Sequence, residues 1–264
     1  MMYLEHFQLH HQPFNEHAAV AALWQDTRMD EGLARLEYLV EHGTLGLITG
    51  ASGVGKSALL KRFLHGLAPQ QCEAVYCHLT HLSSAGLLKL IVTQLGELPR
   101  FGKDRVFQQI LERAASVEGT LLLVFDEAHL LDGDGLIDLR LLISSALDVG
   151  PPLKLLLTGQ DPLREVLRRS RHADLLNRVS VRYQLRPLTK QQTTRYLDFQ
   201  MTQAGGDPNV FDESVKAAIH DFTGGMPRQI NNLATACLLQ ATARKVARID
   251  DQLFQQATRE FQLS

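Results

Sequence analysis

The feature that most constrains this chain is the segment Gly50 to Ser57, which reads G-A-S-G-V-G-K-S. It fits the pattern G-x-x-x-x-G-K-[ST] and lies between an apolar run at 45–49 and a helical pattern at 57–67. Glycines at these places let backbone N–H groups turn inward, and the helix that follows presents its positive end to an anion. The segment therefore predicts a strand, a phosphate-binding loop and a helix. The alternative is a glycine-rich turn without a ligand.

Specific roles follow for the residues of this loop. Lys56 is expected to reach the β and γ phosphates of a nucleotide, and the Ser57 hydroxyl to ligate Mg²⁺. The predicted nucleotide-binding set around the phosphates is Gly50, Ser52, Gly53, Val54, Gly55, Lys56, Ser57 and Ala58.

Apolar runs and helical patterns alternate up to Pro187. The run at 121–125 has the composition of a strand buried on both faces, as in a parallel sheet. Alternation of this kind predicts an open α/β sheet with right-handed crossovers. The predicted strands are 45–49, 74–79, 121–125, 153–158 and 179–183.

After Pro187 the pattern predicts helices only, at 189–203, 212–222, 226–243 and 250–261. The expected fold class is therefore α/β, a three-layer αβα phosphate-loop core followed by an all-helical lid domain. The expected division is 1–44 as an N-terminal linker and first helix, 45–186 as the α/β domain and 187–264 as the lid.

Two carboxylates follow the apolar run at 121–125. Asp126 is expected to hold Mg²⁺ through water, and Glu127 to polarise the attacking water. A second carboxylate favours a hydrolase over a small-molecule kinase, in which water must be excluded. The letters D-E-A-H also occur in helicases, but a two-lobed helicase needs two such α/β domains. The alternative for both residues is an exposed loop start.

The strand at 153–158 also ends in polar groups. A polar side chain is needed between the two carboxylates and the γ-phosphate, and Gln160 is the first candidate for it and Thr158 the second. The alternative for either residue is an ordinary hydrogen bond at a strand end.

Two arginines are candidates for contact with phosphate. Arg228 follows Gly224-Gly225-Met226-Pro227 at the start of a helix, where proline is well tolerated. Arg178 precedes the last strand and is the candidate arginine finger, which stabilises phosphoryl transfer from a neighbouring subunit. Its competitors are Arg168, Arg169 and Arg171, and any of these arginines could instead be part of a solvated helix face.

The overall charge conceals a local excess. The 27 basic and 29 acidic residues give a net charge of −2, which by itself argues against a general nucleic-acid coat. Residues 154–200 nevertheless hold 10 basic and 4 acidic residues. Part of this excess is expected to face ATP and neighbouring subunits.

Other global features indicate the compartment. Three cysteines are few and odd in number, which favours a reducing cytoplasm over a disulfide framework. No secretory signal and no apolar run long enough for a membrane span are expected. A zinc site can be drawn from Cys72, Cys77, His78 and His81, but this segment is better explained as a buried strand.

These motifs together resemble the AAA+ ATPases, and more closely their ExeA-like branch. The matching residues are Pro13-Phe14, Gly50 to Ser57, Asp126 to His129, Gly159 to Leu163, Arg178-Val179 and Gly224 to Leu233, so the resemblance runs from about residue 3 to residue 260. Departures are mild: Asp161-Pro162 inverts the usual order, and Met226 replaces a β-branched residue.

The resemblance implies binding of ATP and Mg²⁺, with assembly into rings or filaments of identical subunits. It implies that Arg178 acts across subunits and Arg228 within its own, and that the segment from Tyr3 to Phe14, with Pro13 and Phe14 as predicted contacts, lies near the adenine.

The resemblance leaves two uses open. Stand-alone TniB- and MuB-type ATPases help a transposase choose target DNA, whereas secretion and pilus ATPases of this branch usually continue into a membrane span and a cell-wall-binding domain. This sequence ends after the helical lid, so we expect the transposition helper, with duplex DNA and a transposase as partners and without membrane insertion. Arg100, Lys103 and Arg105 are candidate DNA contacts, with a plain polar helix start as the alternative.

Overall fold

The central element is a parallel five-stranded sheet with the strand order β2-β3-β4-β1-β5. The computed structural model describes residues 2–15, 18–79, 81–149 and 153–262. In chain order the strands are β1 (Leu45–Thr49), β2 (Cys72–His78), β3 (Thr120–Asp126), β4 (Leu153–Gly159) and β5 (Val179–Gln184).

Helices make up most of the remaining described chain. In chain order they are α1 (Met2–His6), α2 (Thr27–His42), α3 (Lys56–Gly66), α4 (Ser84–Gln94), α5 (Lys103–Ser116), α6 (Gly133–Val149), α7 (Pro162–Leu167), α8 (Ala173–Asn177), α9 (Lys190–Gln203), α10 (Glu213–Thr223), α11 (Pro227–Ala243) and α12 (Asp251–Gln262). Short 3₁₀ turns lie at Val20–Ala22, Ala128–Leu130, Ser170–His172 and Pro208–Val210.

The sheet brings the polar strand ends together at one edge. Every residue of β1, β3 and β4 is buried, as expected for parallel strands covered on both faces. Because parallel strands end at the same edge, the residues after β1, β3 and β4 are neighbours there. Ligands of open α/β sheets bind at this edge.

By contacts between residues, the chain divides into two compact units. The α/β unit comprises 27–52 and 56–185, and the helical unit comprises 1–26, 53–55 and 186–264.

Helices cover both faces of the sheet in the α/β unit. On one face, Leu123, Leu155 and Leu157 join a core formed with apolar side chains of α4 to α8. On the other face Leu39 of α2 packs so closely on Gly46 of β1 that an added Cβ would lie 2.6 Å from it. These contacts give the three-layer arrangement expected from the sequence.

The helical unit has its own apolar core, built from α1 and α9 to α12. Helix α9 begins with a capping box, in which Thr189 and Gln192 each accept a hydrogen bond from the other's backbone N–H. Helix α10 ends at Gly224 in the left-handed conformation.

The predicted α/β fold class is confirmed, and all five predicted strands are present. Some strand bounds differ: β2 is Cys72–His78 where 74–79 was predicted, and β3 extends to include Asp126. Helix α1 was not predicted, because five residues are too few to show a helical period. The domain boundaries predicted from sequence stay predictions.

The segment considered for zinc is strand β2. Cys72 and Cys77 are both buried, and alternation along the strand directs them to opposite faces of the sheet. Within the described residues, no cluster of three or more His, Cys, Asp or Glu side chains could hold a metal ion. Among the helices of that same part of the chain, none is both long and apolar enough to cross a membrane.

Candidate functional site

The loop between β1 and α3 has the backbone that the sequence pattern predicts. Gly53 and Gly55 adopt φ values of +77° and +112°, which side-chain-bearing residues rarely adopt. Within the helical unit, the Arg228 N–H donates to the Gly53 carbonyl at 3.2 Å. A Cβ on Gly53 would lie 2.8 Å from the Cβ of Arg228, so this close approach also requires glycine.

Lys56, the first residue of α3, is folded back over the loop. Its Nζ donates to the carbonyls of Gly50 at 2.9 Å and Ala51 at 3.1 Å, and the residue is only 5% exposed. The ammonium is thus held inside the curve of the loop, where it can donate to phosphate oxygens.

Asp126, the last residue of β3, is the centre of a hydrogen-bond cluster. Its Oδ1 accepts from the Thr158 hydroxyl at 2.6 Å and from the Glu127 N–H at 3.0 Å. Its Oδ2 accepts from the Tyr76 hydroxyl at 2.9 Å and from the Ser57 hydroxyl at 3.3 Å. Four donors compensate the desolvation of a carboxylate that is 2% exposed.

The oxygen donors around Asp126 suit Mg²⁺, a hard cation that prefers oxygen ligands. The Ser57 hydroxyl and Asp126 Oδ2 lie 3.3 Å apart. Neighbouring ligands of an octahedral ion at about 2.1 Å are about 3 Å apart, so these two oxygens fit one ion, directly or through its water. They are therefore the residues that would hold Mg²⁺.

Tyr76 is a member of this cluster that the sequence did not indicate. Burial, followed by the neighbouring Asp126 carboxylate, raises the pKa of the Tyr76 hydroxyl well above its usual range, so the group remains a donor. Tyr76 and Asp126 are 50 positions apart in sequence. The register that pairs His78 with Asp126 brings the end of β2 beside the end of β3. Only knowledge of that register could have revealed the contact.

Glu127 follows β3 in a left-handed conformation with φ of +57°. Its Oε2 lies 3.2 Å from Nδ1 of His129. Nε2 of the same ring lies 3.3 Å from the side-chain nitrogen of Gln160, the residue after β4. Thr158, the second candidate for the strand-end polar group, therefore contacts Asp126, whereas Gln160, the first candidate, contacts His129.

The four candidate arginine fingers differ in whether their guanidinium has a partner within the chain. Arg171 donates to Nε2 of His172 at 2.9 Å, and its guanidinium lies against Gly133, where an added Cβ would collide with it. In the described part of the chain, no hydrogen bond or ion pair engages the guanidinium of Arg168, Arg169 or Arg178. Arg178 follows α8 directly and is half-buried.

Pro13 and Phe14, predicted near the adenine, are buried in the helical unit. The Phe14 ring is 3% exposed and packs edge-on against Phe211 with ring centres 6.2 Å apart. These contacts make Phe14 a core residue of that unit.

Two of the three candidate DNA contacts have acidic partners within the chain. Arg100 pairs with Glu112 at 2.7 Å, and Lys103 pairs with Asp138 at 2.9 Å. Arg105 is exposed on the first turn of α5. The loop before α5 also carries Phe101, which is 95% exposed.

A known protein family and a curated relative match parts of this chain. Residues 40–167 match the AAA domain family. General secretion pathway protein A of Aeromonas hydrophila is 31% identical over 252 residues, and the alignment covers 92% of this chain but 45% of that protein. The chain therefore spans less than half the length of this relative.

Several solved structures have the same fold. Cdc6p of Pyrobaculum aerophilum superimposes with a TM-score of 0.74 at 17% identity, over 94% of this chain and 70% of that one. The Aeropyrum pernix ORC1 protein, solved in complex with DNA, superimposes with a TM-score of 0.69 at 19% identity, over 91% of this chain and 67% of that one. The Thermotoga maritima RuvB Holliday junction branch migration motor has a TM-score of 0.61 at 18% identity, over 89% of this chain and 69% of that one.

Residues 40–167 therefore carry an AAA domain, and the described chain has the fold of the ORC1 and Cdc6p structures. The chain is a homologue of General secretion pathway protein A.

Proposed function

We propose that this chain hydrolyses ATP in the presence of Mg²⁺ and that Glu127 activates the attacking water. The observation that carries this proposal is the Asp126 cluster, which joins Ser57 of the phosphate loop and Thr158 of β4 on one buried carboxylate. Glu127 is the next residue, so a second carboxylate lies beside the position suited to the metal.

Each group has a defined task in this proposal. Lys56 donates to oxygens of the β and γ phosphates, and the N–H groups of the loop orient them. Bound Mg²⁺ neutralises charge on the phosphate oxygens. Glu127 orients the attacking water and accepts its proton. Arg228 is the proposed cis contact to phosphate, next to Gly53 of the loop.

The proposed trans contact is Arg178 of a neighbouring copy, in a ring or filament of identical subunits. Support comes from the half-buried position of Arg178 and from its guanidinium, which no described residue of its own chain engages. By contrast, Arg171 donates to His172 and is the weaker candidate.

Mixing two inactive variants tests this contact. Lys56→Ala cannot bind ATP but keeps Arg178, whereas Arg178→Ala binds ATP but lacks the finger. A mixture should hydrolyse ATP faster than either variant alone, because one subunit supplies the site and the other the arginine. A mixture no faster than the separate variants would contradict action in trans. Arg171→Ala is the matched control and should keep its activity.

For the target of this ATPase, we propose duplex DNA bound in an ATP-dependent way, in the cytoplasm and together with a transposase. Support comes from the basic excess in residues 154–200 and from Arg168 and Arg169, which are exposed. The Aeropyrum pernix ORC1 protein, which has the same fold, was solved in complex with DNA. The internal ion pairs of Arg100 and Lys103 leave Arg105, on the first turn of α5, as the better-placed candidate of the three.

A role in secretion is the second candidate, and the 31% identity to General secretion pathway protein A favours it. Co-sedimentation with duplex DNA separates the two. A target-binding ATPase should pellet with DNA only when a non-hydrolysable ATP analogue is present, and binding should weaken steeply with salt because phosphate contacts release counterions. Failure to pellet at low salt with the analogue would contradict DNA binding and favour secretion.

A further inference from the structure

His129 lies between two groups of the proposed hydrolytic site. It belongs to the 3₁₀ turn directly after Glu127, and its side chain is 15% exposed. A Cβ on Gly159 would lie 3.1 Å from the backbone nitrogen of His129 and 3.4 Å from its Nδ1. Because Gly159 at the end of β4 has no side chain, the imidazole can pack against the strand, between Glu127 and Gln160.

The two ring nitrogens of His129 lie close to Glu127 and to Gln160. Oε2 of Glu127 is buried and makes no hydrogen bond with any described residue, and Nδ1 of His129 lies 3.2 Å from it. Rotation of either side chain would bring a proton on Nδ1 into line with this oxygen. Nε2 is then free of a proton and accepts from the Gln160 amide at 3.3 Å. In the structure the Gln160 backbone N–H donates to Nδ1 at 3.5 Å, so the proposed tautomer exchanges this bond for one to Glu127.

We propose that His129 is a positioning residue that holds the Glu127 carboxylate and links it to Gln160 through its two ring nitrogens. This inference rests on the proposed role of Glu127 in hydrolysis. Because Oε2 of Glu127 makes no hydrogen bond with any described residue, no such bond fixes the direction of its carboxylate. The imidazole supplies that constraint, and a change in the contacts of Gln160 is transmitted to Glu127 through one ring.

Kinetics of three substitutions test this role. His129→Ala should lower kcat about tenfold or more with ATP affinity within about twofold of wild type, because the residue acts on Glu127 and not on the phosphates. His129→Asn places an amide near Nδ1 and should restore much of the rate, whereas His129→Gln places its amide near Nε2 and should not. His81→Ala, at an exposed histidine, is the control.

The geometry has its own readout, which does not need hydrolysis. Imidazole ¹⁵N spectra at pH 8, assigned by loss of the signal in His129→Ala, should show a protonated Nδ1 and an unprotonated Nε2. Glu127→Gln should shift Nδ1 most, and Gln160→Ala should shift Nε2 most.

Two results would overturn the proposal. One is a His129→Ala variant with wild-type kcat, and the other is a ring whose ¹⁵N shifts respond to neither Glu127→Gln nor Gln160→Ala. Failure of the proposed function looks different. In that case Glu127→Gln hydrolyses ATP as fast as wild type, while the ¹⁵N shifts still report the contacts of the ring.

Discussion

The Thr158 hydroxyl is the strongest single support of the Asp126 carboxylate, and its removal has a calculable effect. Thr158 is fully buried, and the 2.6 Å bond to Asp126 is the shortest of the four that this carboxylate accepts. Thr158→Val keeps the shape and removes the donor. A hydrogen bond to a charged group contributes about 1.5–3 kcal/mol, so the free energy of unfolding should fall by roughly that amount.

Thermal unfolding followed by circular dichroism measures this effect without added nucleotide. For a domain of this size, 1 kcal/mol corresponds to about 2–4 °C, so Thr158→Val should melt about 3–12 °C below wild type. Thr158→Ser retains the hydroxyl and should lie closer to wild type than valine does. A valine variant that melts with wild type, or a serine variant that melts below valine, would refute the assigned role of this bond.

Two further predictions concern stability. Burial raises the pKa of the Cys77 thiol from 9.0 to about 12, so the folded state holds this proton after the unfolded chain has lost it. The free energy of unfolding therefore falls from about pH 9 upward. Cys77→Val should abolish about 1.4 kcal/mol of the fall between pH 8 and pH 10, as measured by urea unfolding at both pH values. An equal fall in wild type and variant would contradict the buried thiol. Lys216 is 2% exposed and pairs with Asp198 and Glu213, each at 2.7 Å. Lys216→Met should lower the free energy of unfolding by about 1–3 kcal/mol. This loss is smaller than that from breaking a fully buried ion pair, because both carboxylates are partly hydrated. Urea unfolding followed by fluorescence of Trp24, the single tryptophan, measures this cost, and an unchanged midpoint would contradict it.

The fold could be predicted from sequence because its signals are local. The run at 121–125 has the composition of a strand covered on both faces, and Gly50 to Ser57 requires a strand before it and a helix after it. The short helices α1, α7 and α8 are harder, because five or six residues show too little periodicity to define helix ends.

The candidate site was only partly predictable, because its partners are distant in sequence. Asp126 and Ser57 follow from their motifs, but the contribution of Tyr76 depends on the register of β2 against β3. Arg100 and Lys103 look like free cations in the sequence, whereas helices α5 and α6 supply their acidic partners, Glu112 and Asp138.

The central claim is that Lys56, Asp126 and Glu127 form a site that hydrolyses ATP. Phosphate release by wild type and Glu127→Gln, measured in the same preparations as equilibrium ATP binding, tests it most directly. Wild type should release phosphate only with Mg²⁺, and Glu127→Gln should bind ATP equally well but release phosphate about 100-fold or more slowly, the usual contribution of a general base. Equal phosphate release by the two proteins would contradict the claim.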